Sequence, residues 1–149
     1  MAIRIVRLGS QRAADEGPRI GTVRRPPRGV PKTEFARQNW YDAWYPNLAP
    51  SAETMKLGQA ANAGTSAARS TDTSADASAD PGAAAAWRAF EKRYRAEMAE
   101  ADASRSLDLL AVLSLHSAFS LGCYCDHETR CHRSILRALL QERGAALQA

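Results

Sequence analysis

The stretch FSLGCYCDHETRCHRSIL, residues 119–136, carries the pattern that decides the fold. Over residues 119–125, apolar side chains alternate with polar or small ones, which is the period of two expected of a β-strand with one face on the core. A helical stripe follows after a short polar turn, at Ile135, Leu136, Leu139 and Leu140. We therefore predict a strand, a short loop and a helix that runs from about Cys131 to Arg143 and stops at Gly144.

Two further helices are predicted just upstream of this unit. The first has its buried face marked by large side chains at spacings of three and four, namely Trp87, Phe90, Tyr94 and Met98. The second runs to Leu115, and either Ser104 or Ser106 is placed to serve as its N-cap. Because this second helix is apolar most of the way around, we expect it to be buried.

The N-terminal part of the chain predicts shorter elements. Residues 3–8 and 19–24 are typical of two β-strands joined by a polar turn, and residues 40–48 favour a third strand. Three prolines exclude regular structure from residues 26–31, because each removes a hydrogen-bond donor and restricts the residue before it. Strands that alternate with helices favour the α/β class, here a single small layered domain with a short sheet flanked by helices.

Residues 59–83 differ in composition from the rest of the chain, since they are almost wholly Ala, Ser, Thr, Gly and Asp. A segment without large apolar side chains cannot offset the entropy lost on ordering. We therefore predict a flexible, disordered Ala/Ser/Thr-rich insert, preceded by a short helix from an N-cap at Ser51 towards Leu57. Residues 1–149 then form one domain that the insert interrupts.

Charge and cysteine content narrow the class of protein. The chain has 149 residues, a formal net charge of +4 and three cysteines, and its first 58 residues hold ten Lys/Arg against five Asp/Glu. A basic half favours a phosphate-bearing partner, although a solvated positive face has the same composition. Few cysteines and no apolar stretch of spanning length predict a soluble cytoplasmic protein without membrane contact. The oligomeric state is left open.

The first candidate binding motif is RRPPRGVPK, residues 24–32. Guanidinium groups on a loop stiffened by prolines can form forked hydrogen bonds to phosphate or carboxylate, and the aromatic residues that follow can stack on a base. The predicted ligand-binding residues are Arg24, Arg25, Arg28 and Lys32. The alternative is that the arginines are solvated and the aromatic rings fill the core.

The second candidate motif is CYCDHETRCHR, residues 123–133, at the junction of the last strand and the last helix. Ligands collect at the carboxyl ends of strands in open α/β sheets, and the dipole of a helix N-terminus lowers the pKa of a thiol there. Cys131 and His132 are therefore the candidate catalytic pair, a thiolate nucleophile and its partner. Cys123 and Cys125 are further candidate site residues, or small buried apolar residues.

Zinc is the alternative chemistry at this motif, because three cysteines with His127 or His132 supply ligands of the right type. The spacing argues against it. Two cysteines separated by one residue on an extended strand are about 6.5 Å apart, and the paired C-x2-C knuckles of structural zinc sites are absent. We therefore expect no metal and no cofactor. The chain also lacks the glycine-rich nucleotide loops and the G-x-S-x-G motif.

Taken together, the motifs resemble the DUF 488 family, in particular its YeaO-like members. The matching segments, in chain order, are RIGTVRRPPRGVPK at 19–32, WYPNLAPS at 44–51, WRAFEKRYRAEM at 87–98 and CYCDHETRCHRSIL at 123–136. The resemblance implies an α/β fold but no established reaction, substrate or cofactor. It marks as family positions Arg25, Arg28, Gly29, Lys32, Cys123, Cys131, His132 and Arg133, which adds Arg133 to the candidate ligand-binding residues.

Two classes of function fit these patterns. The leading hypothesis is a domain that binds a phosphate-bearing small molecule or nucleotide between the basic loop and the Cys-His-Arg helix start, with thiol-dependent catalysis as an option. The alternative is a nucleic-acid-binding accessory protein whose arginines contact backbone phosphates, or a structural domain without a small ligand. The sequence does not decide whether the protein is an enzyme. A concave site shared by both motifs would favour the first hypothesis.

Overall fold

The computed structural model describes residues 1–68 and 81–148, with side chains for residues 1–62 and 82–148. Within these ranges the chain forms four strands, β1 (Ile3–Arg7), β2 (Arg19–Gly21), β3 (Ala43–Trp44) and β4 (Phe119–Cys123), and four α-helices, α1 (Ala52–Ala68), α2 (Pro81–Met98), α3 (Ala101–Ser114) and α4 (His132–Glu142). The predicted α/β class is confirmed, with the low-complexity segment lying between α1 and α2.

The four strands form one parallel sheet in the order β1-β4-β2-β3. Ile3 pairs with Phe119, and Ile20 pairs with Leu121, so β4 is central. All five residues of β4 are buried, which differs from the one-faced strand that the alternating pattern predicts. A central strand of a parallel sheet is covered on both faces, and its alternation therefore carries no information about exposure.

The main core lies between the sheet and the helices. It is built from the apolar faces of α2, α3 and α4 together with β1 and β4, and its largest fully buried members include Ile3, Leu48, Tyr94, Leu107, Leu121, Leu136 and Leu140. The hydroxyl of Tyr94 donates a hydrogen bond of 2.6 Å to the carbonyl of Leu48. The predicted stripe of α2 is therefore confirmed as a buried face.

A second cluster lies where the sheet meets the candidate motifs, and consists of Leu8, Val23, Tyr41, Cys123 and Cys131. The ring of Tyr41 crosses β2 so closely that a Cβ on Gly21 would lie 2.4 Å from it. Glycine at this position thus lets an aromatic ring cover the strand. The cluster holds the end of β4 and the start of α4 against the N-terminal strands.

Helix α3 corrects two predictions. It begins at Ala101 after an N-cap at Glu100 that makes no side-chain cap hydrogen bond, so Ser104 and Ser106 lie inside the helix. It is also not buried all round, because its outer face remains open, with Leu109 59%, Val112 58%, Leu113 41% and Leu115 53% exposed. The helix packs by one face only, since no described element covers the other.

The helix after Ser51 is longer than predicted, and this corrects the boundaries of the insert. Residues 59–68 continue α1, and α2 already begins at Pro81. The helix is favoured there by an alanine-rich sequence and by packing, since Ala61 is fully buried and Gly58 lies against the ring of Phe90. Residues 69–80 of the predicted insert lie outside the described residues.

The remaining elements follow the sequence closely. The third strand is confined to two residues of the predicted range 40–48. Helix α4 ends where predicted, before Gly144, which adopts a φ of 79°. In the part of the chain that the structure describes, no helix has the length and apolar character needed to cross a membrane.

Candidate functional site

Three cysteine thiols meet at the carboxyl end of β4. Cys123 is the last residue of the strand, and Cys131 is the N-cap of α4, with φ −131° and ψ 154°. The Sγ of Cys123 lies 3.3 Å from that of Cys131 and 3.5 Å from that of Cys125. We refer to these three residues as the thiol cluster.

The separation of about 6.5 Å predicted for Cys123 and Cys125 holds only for an extended chain, and the chain bends here. The strand ends at Cys123 and the chain turns, so the extended spacing does not apply. All three sulfur atoms lie within 4.8 Å of one another, and together they could hold one metal ion.

His132 is fixed from both sides of its ring. Its Nε2 lies 2.9 Å from the carbonyl oxygen of Thr22 and must therefore donate the proton of that hydrogen bond. Its Nδ1 is then left to face the Sγ of Cys131 at 3.7 Å. The two neighbours point at each other because Cys131 has extended backbone geometry, so the divergence of adjacent helical positions does not apply. The ring of Tyr94 packs edge-on against the imidazole.

Contacts within the thiol cluster shift the pKa values of the three thiols in opposite directions. Hydrogen-bond contacts with Cys123, then with Cys125, lower the pKa of Cys131, the contact with His132 adds to this, and burial opposes the shift. The pKa of Cys123 is raised by its hydrogen bonds to the other two thiols and by burial. For Cys125 the hydrogen bond with Cys123 lowers the pKa, but the hydrogen bond to Cys131 and burial outweigh it and raise the value to about 11.

Arg133 is a buried cation beside the thiol cluster, only 4% exposed. Its Nη2 donates a hydrogen bond of 2.7 Å to the carbonyl of Cys125, while its Nε is buried without a partner among the described residues. Its charge also lowers the pKa of Cys125. Arg133 therefore holds the turn after β4, and it does not line the cleft described next.

Both candidate motifs line one cleft of about 1460 Å³. One wall is the basic loop with Arg24, Arg25 and Arg28, and the floor includes Cys123, Cys125, Cys131 and His132. The rest of the cleft is lined by the first part of α1 and by the side chains of Trp40, Trp44 and Tyr124. Lys32 is the exception among the predicted residues, because it begins a short 3-10 turn and lies exposed outside the cleft.

The cleft is basic. Six of the residues that line it carry a positive charge and, among the described residues, none carries a negative one; the six are Arg7, Arg24, Arg25, Arg28, Lys56 and Arg130. Arg7 is partly neutralised by an exposed ion pair with Asp126 at 3.0 Å. Nη1 of Arg130 is buried without a hydrogen-bond partner in the described structure, and its guanidinium lies over the ring of Trp87.

Sequence reasoning missed Arg7, Lys56 and Arg130 as cleft residues. Arg7 ends β1, and the rule that ligands collect at the carboxyl ends of parallel strands could have indicated it. Arg130 stands directly before the catalytic candidate Cys131, which is also a usable signal. Lys56 carries no local signal, because only the packing of α1 against α2 and against the turn at residues 128–130 places it there.

The comparisons with known proteins agree with the motifs. Residues 3–144 match the family model DUF488-N3a, whose description is the active DUF488-N3 subclade. No curated protein and no solved structure gives a match. The match includes all four strands, all four helices and every residue of the thiol cluster. The chain therefore belongs to the DUF488 family.

Proposed function

We propose that the protein binds a phosphate-bearing small molecule or nucleotide in the cleft, with Cys131 as a nucleophile towards that ligand. The observation that carries the proposal is the composition of the cleft that contains the Cys131 thiol: among the described residues that line it, six are basic and none is acidic. Such a site attracts anions, because the electrostatic potentials of its positive charges add within a concave surface.

The basic loop is suited to hold a phosphate group. Two prolines, Pro26 and Pro27, separate the arginine pair from Arg28, and a proline-stiffened backbone loses less entropy when its side chains are ordered on a ligand. Arg24, Arg25 and Arg28 are exposed and free to turn their guanidinium groups towards the cleft. Each guanidinium can form two parallel hydrogen bonds to phosphate oxygens.

The aromatic side chains favour a ligand with a planar ring. Trp40, Trp44 and Tyr124 lie in the same cleft as the arginines, and the indole of Trp44 is positioned by a 2.7 Å hydrogen bond from its Nε1 to the carbonyl of Val23. Aromatic faces stack on nucleobases with little regard for base identity. A nucleotide would thus place its phosphate against the arginines and its base against the aromatic side chains.

The catalytic part of the proposal rests on Cys131 and His132. Nδ1 of His132 first takes the proton of the Cys131 thiol, which leaves the thiolate. The thiolate donates its electron pair to an electrophilic atom of the ligand, the bond to the leaving group breaks, and the leaving group takes that proton from Nδ1. The hydrogen bond to Thr22 keeps the imidazole aimed at the sulfur. The description of the matched subclade as active supports this part.

The shape of the site favours a small ligand over a nucleic acid. A nucleic-acid surface needs an open basic face that follows a backbone, whereas these arginines border a cleft whose floor is the thiol cluster. An oligonucleotide is therefore included in the test as a competing ligand.

The test compares binding by the full chain with binding by two matched triple variants. One changes Arg24, Arg25 and Arg28 to Ala; the control changes the exposed residues Arg37, Arg88 and Arg105, which lie outside the cleft, to Ala. The probes are pyrophosphate, a panel of nucleoside monophosphates and a single-stranded oligonucleotide, measured by calorimetry at two salt concentrations. We expect binding of at least one small phosphate compound, weakened about tenfold or more only in the cleft variant. Equal losses in both variants, or binding of the oligonucleotide alone, would contradict the proposal.

A further inference from the structure

Two buried sulfur atoms of the thiol cluster, those of Cys123 and Cys131, lie in contact. The proposed function uses only the Cys131 sulfur, as the nucleophile. Cys131 is 2% exposed and Cys123 is 5% exposed, and their Sγ atoms are 3.3 Å apart while both remain free thiols. A disulfide has its sulfur atoms about 2.05 Å apart. The two sulfur atoms would have to approach each other by about 1.3 Å to form the bond.

We propose that Cys131 and Cys123 are a reversible oxidation site, at which a peroxide converts the two thiols to a disulfide. Three features of the structure support it. Both residues line the cleft, so a molecule as small as hydrogen peroxide reaches them. Nδ1 of His132 lies 3.7 Å from the Sγ of Cys131, where it can take the thiol proton and leave the thiolate, the form that reacts with peroxides. Cys123 then stands next to the oxidised sulfur.

The chemistry balances with the peroxide as the oxidant. The Cys131 thiolate attacks one peroxide oxygen, the O–O bond breaks, and the leaving hydroxide takes a proton to become water, which leaves a sulfenic acid on Cys131. The Cys123 sulfur then attacks the Cys131 sulfur, the S–O bond breaks, and the departing hydroxyl leaves as water with the proton of the Cys123 thiol. Two thiols and one peroxide thus yield one disulfide and two waters.

Cys125 has a different place in this scheme. It is the most accessible of the three cysteines, and its Sγ lies 3.5 Å from that of Cys123. In the reduced protein it accepts a hydrogen bond from the Cys123 thiol, and the shortest sulfur contact of Cys131 is with Cys123. The pair Cys123–Cys131 therefore forms first, and Cys125 is dispensable for the disulfide. Oxidation would mask the nucleophile, a consequence that rests on the proposed function, whereas the disulfide itself does not.

Trypsin separates the candidate bonds. Cleavage after Arg105, Arg130 and Arg133 leaves Cys131 in the tripeptide 131–133, and Cys123 with Cys125 in the peptide 106–130. A bond from Cys131 to either of the others joins two peptides, whereas a bond between Cys123 and Cys125 stays within one. The variants Cys123→Ser and Cys125→Ser then assign the partner.

The metal content and the melting curve are first measured for the wild type and for each variant. The reduced full chain of each is then treated with hydrogen peroxide. We expect the joined peptides in the wild type and in Cys125→Ser, and their reversal by dithiothreitol. In Cys123→Ser, we expect a sulfenic acid on Cys131 that dimedone traps. A bond between Cys123 and Cys125, direct overoxidation of Cys131 in the wild type, or one zinc ion per chain that protects all three thiols would overturn the proposal. No step uses a phosphate ligand. The disulfide can therefore be found even if no phosphate compound binds, and phosphate binding can be found even if no disulfide forms.

Discussion

Cys131 and Cys125 lie within 4.8 Å of each other, yet their surroundings favour opposite protonation states. Hydrogen-bond contacts with Cys123 and Cys125 lower the pKa of Cys131, and His132 adds to the effect. The pKa of Cys125 rises to about 11 although Arg133 stands nearby. Tyr94 of α2 also faces the cluster, and burial raises its pKa well above its ordinary value. These contacts therefore favour the thiolate form of Cys131 over that of Cys125.

We predict that Cys131 is alkylated at lower pH than Cys125, despite being far less exposed. The midpoint of Cys131 labelling should fall below the ordinary thiol value of about 8.5, because its thiolate is populated above its lowered pKa, whereas Cys125 labelling should begin only towards its higher value. The measurement is iodoacetamide labelling across pH, read from the tryptic peptides. Cys123→Ala removes the strongest hydrogen bond and should raise the Cys131 midpoint. Labelling of Cys125 first, with Cys131 silent until unfolding, would mean that Cys131 is a packed structural cysteine.

A second residue-level feature, the ion pair of Glu16 with Arg19, escapes a sequence-based prediction. Both side chains are buried, and Arg19 donates to both carboxylate oxygens of Glu16, at 2.7 and 2.9 Å. Ser120 of the central strand donates a third hydrogen bond to the carboxylate. In the sequence the pair lies within a polar stretch that indicates a turn. Its burial depends on the carbonyl of Asn39, which accepts a hydrogen bond from Nη1 of Arg19, and on the hydroxyl of Ser120, and both are distant along the chain.

We predict that Glu16→Gln destabilises the protein by about 3–5 kcal/mol, because it leaves the Arg19 cation buried and unpaired. Burial raises the pKa of Glu16, but hydrogen bonds from Arg19 and Ser120 outweigh it and lower the pKa overall. The stabilisation is therefore present above the unfolded-state pKa and is lost as the pH falls through the lower folded-state pKa. Denaturant unfolding from neutral to acidic pH measures both effects. The control Asp15→Asn removes an exposed ion pair with Arg4 and should change stability by less than about 1 kcal/mol. Equal effects of the two substitutions would refute the prediction.

At the scale of elements, the sequence predicts helices better than it predicts what covers them. The stripe of α4 and its end at Gly144 follow from local spacing, and the structure agrees. For α3 the same reasoning predicts burial all round, because leucine and valine occur on every side. Only the face of Leu107 and Leu110 is packed, while Leu109 remains 59% exposed. The spacing of apolar residues predicts that a helix forms. How many of its faces are covered depends on how many layers of the fold pack against it.

The boundary of α1 illustrates the opposite error. A segment rich in Ala, Ser and Thr favours disorder when it is considered alone, yet the described helix continues to Ala68. Ala61 is fully buried, and Nδ2 of Asn62 donates hydrogen bonds to the carbonyls of Gly58 and Arg130. Small residues allow close packing against α2 and the site, a contact that composition cannot reveal. This end of α1 supports Arg130, the residue before Cys131.

At the scale of the whole molecule, strand order brings the two motifs together. β1 and β4 pair in parallel although Ile3 and Phe119 are far apart in the sequence, and β2 pairs on the other side of β4. The carboxyl ends of these strands meet at one edge, where ligands bind in open α/β sheets. The sequence identifies each motif, and the carboxyl-end rule places the second one. Only the order β1-β4-β2-β3 places the basic loop opposite it.

The last prediction concerns how much of the insert the domain needs. Replacing residues 69–80 by a short Gly/Ser linker should change the free energy of unfolding by less than about 2 kcal/mol, because loop closure depends only weakly on loop length. Deleting residues 60–82 instead removes the buried Ala61 and the hydrogen bond of 3.1 Å from Asn62 to the carbonyl of Arg130. We expect this larger deletion to lower stability further and to slow or shift Cys131 alkylation. Thermal and denaturant unfolding of the two forms, with Cys131 labelling, provide the measurement. Equal stability and equal labelling in both would mean that the end of α1 does not support the site, whereas a large loss on replacing 69–80 alone would show that this segment contributes to the fold.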